Sequence, residues 1–164
     1  MKTTKVKKEE PLVIVKQSRD GHKVPQPPSA QQEWKRFKSD LALCLADLSE
    51  DEFLILASKR KNYYIQFAAQ GNFGMRAEAT SNVYVEQSSE LLSAEAYGTM
   101  RHLGWNVPSA THGTSPDPDG SPNFFFDYPS PVNFKFLADL AAETLRRVYG
   151  VYHPGLLKYK SFWF

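Results

Sequence analysis

The chain predicts an α+β fold, an antiparallel sheet with helices packed on one of its faces. Three observations carry this. Trp34, Phe37, Leu41, Cys44, Leu45 and Leu48 recur at spacings of three and four, so one stripe of a helix is apolar. Between residues 63 and 80 apolar and polar residues alternate instead, the period of a half-buried strand. The strand-like segments also come in runs between helical segments, without the regular βαβ alternation of a parallel sheet.

Residues 1–30 read as an extended basic tail, and 31–164 as one folded domain. The tail starts with lysines, passes the short apolar run Leu12, Val13, Ile14 and Val15, and ends in Pro25-Gln26-Pro27-Pro28. A proline cluster of this kind favours solvated, extended backbone and cannot continue a helix or a sheet. The first helix follows over residues 31–48, with Ser29 as its N-cap. Phe53-Leu54-Ile55-Leu56-Ala57 is continuously apolar, as in a central strand covered on both faces. Lys59–Asn62 is a polar turn. Tyr63, Ile65 and Phe67 then alternate with Tyr64, Gln66 and Ala68, up to the turn Gln70-Gly71-Asn72.

The next strand places Phe73, Met75, Ala77 and Ala79 on one face and Arg76, Glu78 and Thr80 on the other, with Asn82–Val85 as a further short strand. A second helix starts near Ser93, turns Ala96, Tyr97, Met100 and Leu103 inward, and stops at Gly104. Residues 106–123 are a long Pro/Gly loop and Phe124–Tyr128 a strand. Pro131 falls in the first turn of a third helix, whose inward residues are Phe134, Leu137, Ala141, Leu145 and Val148. The end, through Phe162, Trp163 and Phe164, is apolar and aromatic. The order is thus helix, three or four strands, helix, one or two strands, helix.

The net charge of +2 is unevenly spread. Residues 1–30 hold seven Lys or Arg against three Asp or Glu, a net of +4. The remaining 134 hold thirteen against fifteen, a net of −2. A nucleic-acid-binding domain carries its positive charge on the folded face. Here the lysines cluster in a tail with no interleaved aromatics for base stacking, so nucleic acid is the weaker reading. The apolar run Leu12–Val15 is too short for the core of a secretory signal, and no later run reaches the length of a membrane span. A cytoplasmic protein without membrane contact is expected. The one cysteine, Cys44, excludes an internal disulfide framework and reads as a small core residue on the first helix.

Signatures of catalysis are missing. There is no phosphate-binding glycine loop and no nucleophile elbow, and the four histidines show no i, i+4 pair. His102, His112, Asp117 and Asp119 could be gathered around a metal only by folding, and residues of this kind in a Pro/Gly loop are ordinarily solvated. Asp117-Pro118-Asp119-Gly120 lacks the twelfth-position glutamate of a calcium loop, since that place is Tyr128. No enzyme, metal or cofactor is expected. What remains is the polar face of the sheet, where Tyr64, Gln66, Arg76, Glu78 and Tyr84 project from adjacent strands. Tyrosine and arginine suit an interface because they join contact area to directional hydrogen bonds. Spacing alone leaves this open between a binding surface and an ordinary wet face.

Several segments in order, Phe53-Leu54-Ile55-Leu56, Tyr64-Ile65-Gln66-Phe67, Arg76 to Asn82, Leu103-Gly104-Trp105 with Pro108, and Thr144 to Val151, resemble the TY-Chap group of bacterial domains, related to type III secretion chaperones and to YbjN. The resemblance covers about residues 32–162 and not the tail. It implies the order α-β-β-β-α-β-β-α and a non-enzymatic, chaperone-like adaptor that holds a segment of a partner protein. Related domains often dimerise, so a homodimer is implied as one assembly. Glu78, Asn82, Gly104 and Trp105 match motif positions, Gly104 and Trp105 in structural roles. Glu78 and Asn82 thus join Tyr64, Gln66, Arg76 and Tyr84 as candidate partner contacts, and Leu12, Val13, Ile14 and Val15 as a strand that a partner could pair with. The alternative is an immunity or inhibitor protein that binds one folded target.

Overall fold

The computed structural model describes residues 10–12, 30–85, 87–109 and 120–163. Its elements are β1 (Glu10–Leu12), α1 (Ala30–Ala46), β2 (Glu52–Ser58), β3 (Tyr64–Ala69), β4 (Met75–Ala79), α2 (Ala94–Leu103), β5 (Phe124–Tyr128), α3 (Phe134–Arg147) and β6 (Leu157–Trp163). The strands form one antiparallel sheet in the order β1-β6-β2-β3-β4-β5. The α+β class and the one-sided helical layer are as the sequence predicts, and the order of elements is close. The two later strands flank α3, one before it and one after, and the last inserts between β1 and β2.

The helical layer follows from the two periodicities. On α1, Trp34, Phe37, Leu41 and Leu45 are buried, with Cys44 and Leu48 partly buried against the same core. They meet Leu137, Ala141 and Leu145 of α3, and Leu54, Leu56, Ile65, Phe67 and Ala77 from the sheet. Burying one side chain of this size stabilises the fold by about 1.5–3 kcal/mol. α2 runs from its N-cap Ser93, whose Oγ accepts from Ala96 N at 3.1 Å, to Gly104 in the left-handed region at φ 115°. There Gly104 N and Trp105 N donate back to the Arg101 and Met100 carbonyls, closing the helix. Ser29 lies outside the described residues.

Four expectations need correction. β2 is covered on one face only: Leu54, Leu56 and Ser58 are buried, whereas Phe53, Ile55 and Ala57 alternate with them and stay half-buried. The flanking strands β6 and β3 shelter that second row laterally, which explains an apolar run without a second layer. Phe73 does not extend β4. It is 83% exposed in the 3-10 turn Gly71–Phe73, because Gly74 at φ 102° reverses the chain and restarts the alternation at Met75. Asn82–Tyr84 is a 3-10 turn and not a strand, with the Ser81 hydroxyl accepting from Val83 N at 3.2 Å. Pro131 precedes α3, which Asn133 caps by accepting from Phe136 N at 3.1 Å; the Ser130–Pro131 bond is cis.

In the tail, Leu12 lies in β1, in register with Leu157. Val13, Ile14 and Val15, the domain boundary near Ser29 and the tail lysines lie outside the described residues, as do positions 110–119 of the long loop.

Candidate functional site

The pleat gives the sheet two unlike faces. On the helix-free face, cross-strand partners bring together Ile55, Gln66 and Glu78 in one row and Ala68 with Arg76 in the next. Lys160 stands opposite Ile55, and Lys158 opposite Ala57, which in turn pairs with Tyr64. Each of these residues is half-buried, and apart from the segment 120–123, which contacts Tyr64, Arg76 and Glu78, they lie outside the core that the helices form with the sheet. Such a surface is sheltered enough to lose water on contact and open enough to be reached.

At one end of this face is a pocket of about 690 Å³. Its lining joins apolar Ile55 and Ala57 to the polar Tyr64 and Gln66 and to Lys61, Lys158 and Lys160. Tyr64 is held from several sides. Its backbone N–H donates to Thr80 Oγ1 at 2.7 Å, its carbonyl accepts from Thr80 N and Oγ1 at 3.1 and 3.0 Å, and its hydroxyl accepts from Asn123 Nδ2 at 3.1 Å. Behind it, Tyr149 Oη donates to the Thr80 carbonyl at 2.7 Å, and the Tyr149 ring stacks on Tyr63 at 4.6 Å. Burial pushes the Tyr149 phenol well above the ordinary tyrosine value, while the bond to Thr80 works the other way. Tyr63 is also raised, by burial and then by Glu90, to whose backbone carbonyl its hydroxyl donates.

The other side of the face is tied up in an ion network. Arg76 Nε lies 3.4 Å from Glu78 Oε1, and its Nη1 is 3.3 Å from Asp127 Oδ2. Its Nη2 donates to the Gly120 carbonyl at 3.3 Å, and its guanidinium sits 4.9 Å from the Phe125 ring centre. Glu78 also accepts from Ser121 Oγ at 2.9 Å. These contacts clamp the segment 120–123 onto β4. A second pocket, of about 550 Å³, lies at the opposite end of the strands between Glu50, Asp51, Phe53, Phe73 and Asp127.

The sheet therefore brings Tyr64, Gln66, Arg76 and Glu78 onto one face. Asn82 lies apart: its amide accepts from Leu92 N at 2.7 Å and donates to the Leu92 carbonyl at 2.9 Å, pinning the approach to α2. Tyr84 closes the 3-10 turn, and its side chain lies outside the described residues. Sequence reasoning missed Ile55, Ala57, Lys158 and Lys160. The period-2 pattern of Lys158 and Lys160 was visible, but not that β6 docks beside β2. Trp105, by contrast, is buried as expected of a packing anchor, with Nε1 donating to Thr144 Oγ1 at 2.9 Å.

Among the described residues no group of three His, Cys, Asp or Glu is placed to hold a metal. His102 is exposed on α2, and His112, Asp117 and Asp119 lie outside the described residues. No described helix is long and apolar enough to cross a membrane.

The model of the family TY-Chap3, described as "T3SS (YopN, CesT) and YbjN peptide-binding chaperone 3", matches residues 27–163. No curated protein and no solved structure matches the chain.

Proposed function

From the premise that the chain belongs to the TY-Chap3 family of peptide-binding chaperones, we propose that it holds a segment of a partner protein on the helix-free face of its sheet. The observation that supports this reading is the one-sidedness of the sheet. Five strands bury one row of side chains under α1 and α3 and leave the other row, Phe53, Ile55, Ala57 and Ala68 among tyrosine, glutamine and lysine, half open. An apolar strip with a polar rim is the anatomy of a protein-binding patch. In this proposal Tyr64 and Gln66 are the central contacts, with Arg76 and Glu78 at one margin. Asn82 supports the surface by fixing the chain at Leu92, and any contact by Tyr84 or by the Leu12–Val15 segment is auxiliary. The protein acts by binding and not by bond chemistry, in a cytoplasmic setting.

Replacing Gln66 or Tyr64 by Ala tests the assignment. With peptides selected from a random display library against the full chain, each change should weaken binding by about 1–3 kcal/mol. Gln66→Ala should leave the melting temperature nearly unchanged, because a solvated strand residue loses little packing. Normal binding by both variants would move the site elsewhere. One tight folded target and no peptide affinity would instead identify an inhibitor or immunity protein.

A further inference from the structure

The two pockets on the helix-free face differ in charge. Among the described residues, the lining of the first includes Lys61, Lys158 and Lys160 and no acidic residue. The lining of the second includes Glu50, Asp51 and Asp127 against the single cation Arg76, which already pairs with Asp127. β2 joins them: Ala57 and Ser58, at its C-terminal end, border or approach the lysines, and Phe53, near its start, borders the acids. At ~3.4 Å per residue, the seven residues of β2 set Lys61 and Lys158 roughly 20 Å from the acids at its other end, with Ile55 midway and Lys160 beside it.

The chemistry of the occupant follows from the backbone. The N–H and C=O groups of β2, β3 and β4 are committed to their ladders on both sides. The face therefore presents side chains and no free backbone pairing groups. An extended segment lying on it would lose water from its own peptide groups without gaining partners. A helix meets those groups internally and can bury an apolar stripe on the strip of Phe53, Ile55, Ala57 and Ala68. At ~1.5 Å per residue, about 14 helical residues span the distance between the charge centres.

We propose that this face takes an amphipathic helix of a partner protein with an apolar middle, acidic residues at one end over Lys61 and Lys158, and basic residues at the other over Glu50, Asp51 and Asp127. This rests on the peptide-binding reading above and adds the conformation and charge order of the ligand. Two separated charge centres of opposite sign fix the direction in which the helix lies, and like charges brought together in the reverse direction cost several-fold in affinity.

The test uses the full chain and three synthetic helical peptides that share one leucine-rich stripe: one with glutamates at the first turn and lysines at the last, one with both ends neutral, and one with glutamates at both ends. The bipolar peptide should bind at least about tenfold more tightly than either other peptide, and the advantage should shrink as salt is raised. The double variant Lys61→Glu/Lys158→Glu should lose that advantage and prefer a peptide whose glutamates are exchanged for lysines; a far-ultraviolet spectrum and a thermal melt check that it folds. Equal binding of the bipolar and neutral peptides, both abolished by Ile55→Glu, would overturn the charge order and leave the peptide-binding reading standing. If none of the peptides bound while extended library peptides did, the helical occupant would be overturned. A dimer that Ile55→Glu dissociates would give the face to a second copy of the chain. Cross-links from Lys158 to residues 13–29 that no peptide displaces would give it to the chain's own segment, and either result overturns the proposal.

Discussion

Removing one oxygen atom, in Tyr149→Phe, tests how the helical layer is coupled to the binding face. Tyr149 follows α3 and is 2% exposed, and its hydroxyl donates at 2.7 Å to the carbonyl of Thr80, at the end of β4. The hydroxyl of that same threonine is bonded to both backbone groups of Tyr64. The substitution keeps the ring and its stacking on Tyr63, so no cavity opens. What is lost is one buried hydrogen bond, with the Thr80 carbonyl left short of a donor, a cost of about 1–3 kcal/mol. For a chain of this size that lowers the melting temperature by roughly 2–12 °C. The phenol adds a pH dependence. Below the ordinary tyrosine value of 10.0 both states hold the proton. Above it the unfolded chain ionises while the buried, raised Tyr149 does not, so the unfolded state gains and native stability falls by about 1.4 kcal/mol per pH unit for this group. Tyr149→Phe lacks that ionisation, so its stability should fall less steeply above pH 10 than that of the wild type. Urea denaturation at neutral and alkaline pH measures both effects. A change below about 0.5 kcal/mol at neutral pH, with unchanged alkaline behaviour, would refute the coupling.

Trp34→Ala should destabilise by about 3–5 kcal/mol, since the ring is 3% exposed, packs edge-on to Phe37 at 5.3 Å and donates from Nε1 to the Tyr152 carbonyl; denaturant unfolding reads it, and a loss below about 1 kcal/mol would contradict the packing. Gly74→Ala should cost at least about 2 kcal/mol, because φ is 102° and a Cβ there would stand 1.9 Å from the Tyr128 carbonyl oxygen, and a thermal melt near the wild-type value would contradict that close approach of β5 to the turn.

Legibility in the sequence tracked how local the cause was. α1, α2 and α3 could be read because their stripes, the Ser93 cap and the Gly104 stop act within a few residues. The alternation in β3 and β4 likewise placed Tyr64, Gln66, Arg76 and Glu78 on one face. The apolar run in β2 misled, since half-burial by flanking strands looks the same in sequence as burial by a second layer. The pocket was illegible for a related reason. Lys158 and Lys160 stand beside Ile55 and Ala57 only because β6 closes over more than a hundred residues of chain onto β2. Nothing local showed that Asn82 would spend its amide on Leu92, ten positions ahead.

The central claim is that peptides bind the helix-free face. Calorimetric titration of library-selected peptides into three full-length forms, wild type, Ile55→Glu and Leu43→Glu, tests it most directly. Ile55 lies at the middle of the open face, and Leu43 is 44% exposed on α1. Ile55→Glu replaces the central apolar contact by a carboxylate that must lose its water beneath any ligand and should weaken binding at least about tenfold, while Leu43→Glu should bind as the wild type does. Loss of binding in Leu43→Glu with normal binding in Ile55→Glu would place the ligand on the helical side and contradict the account.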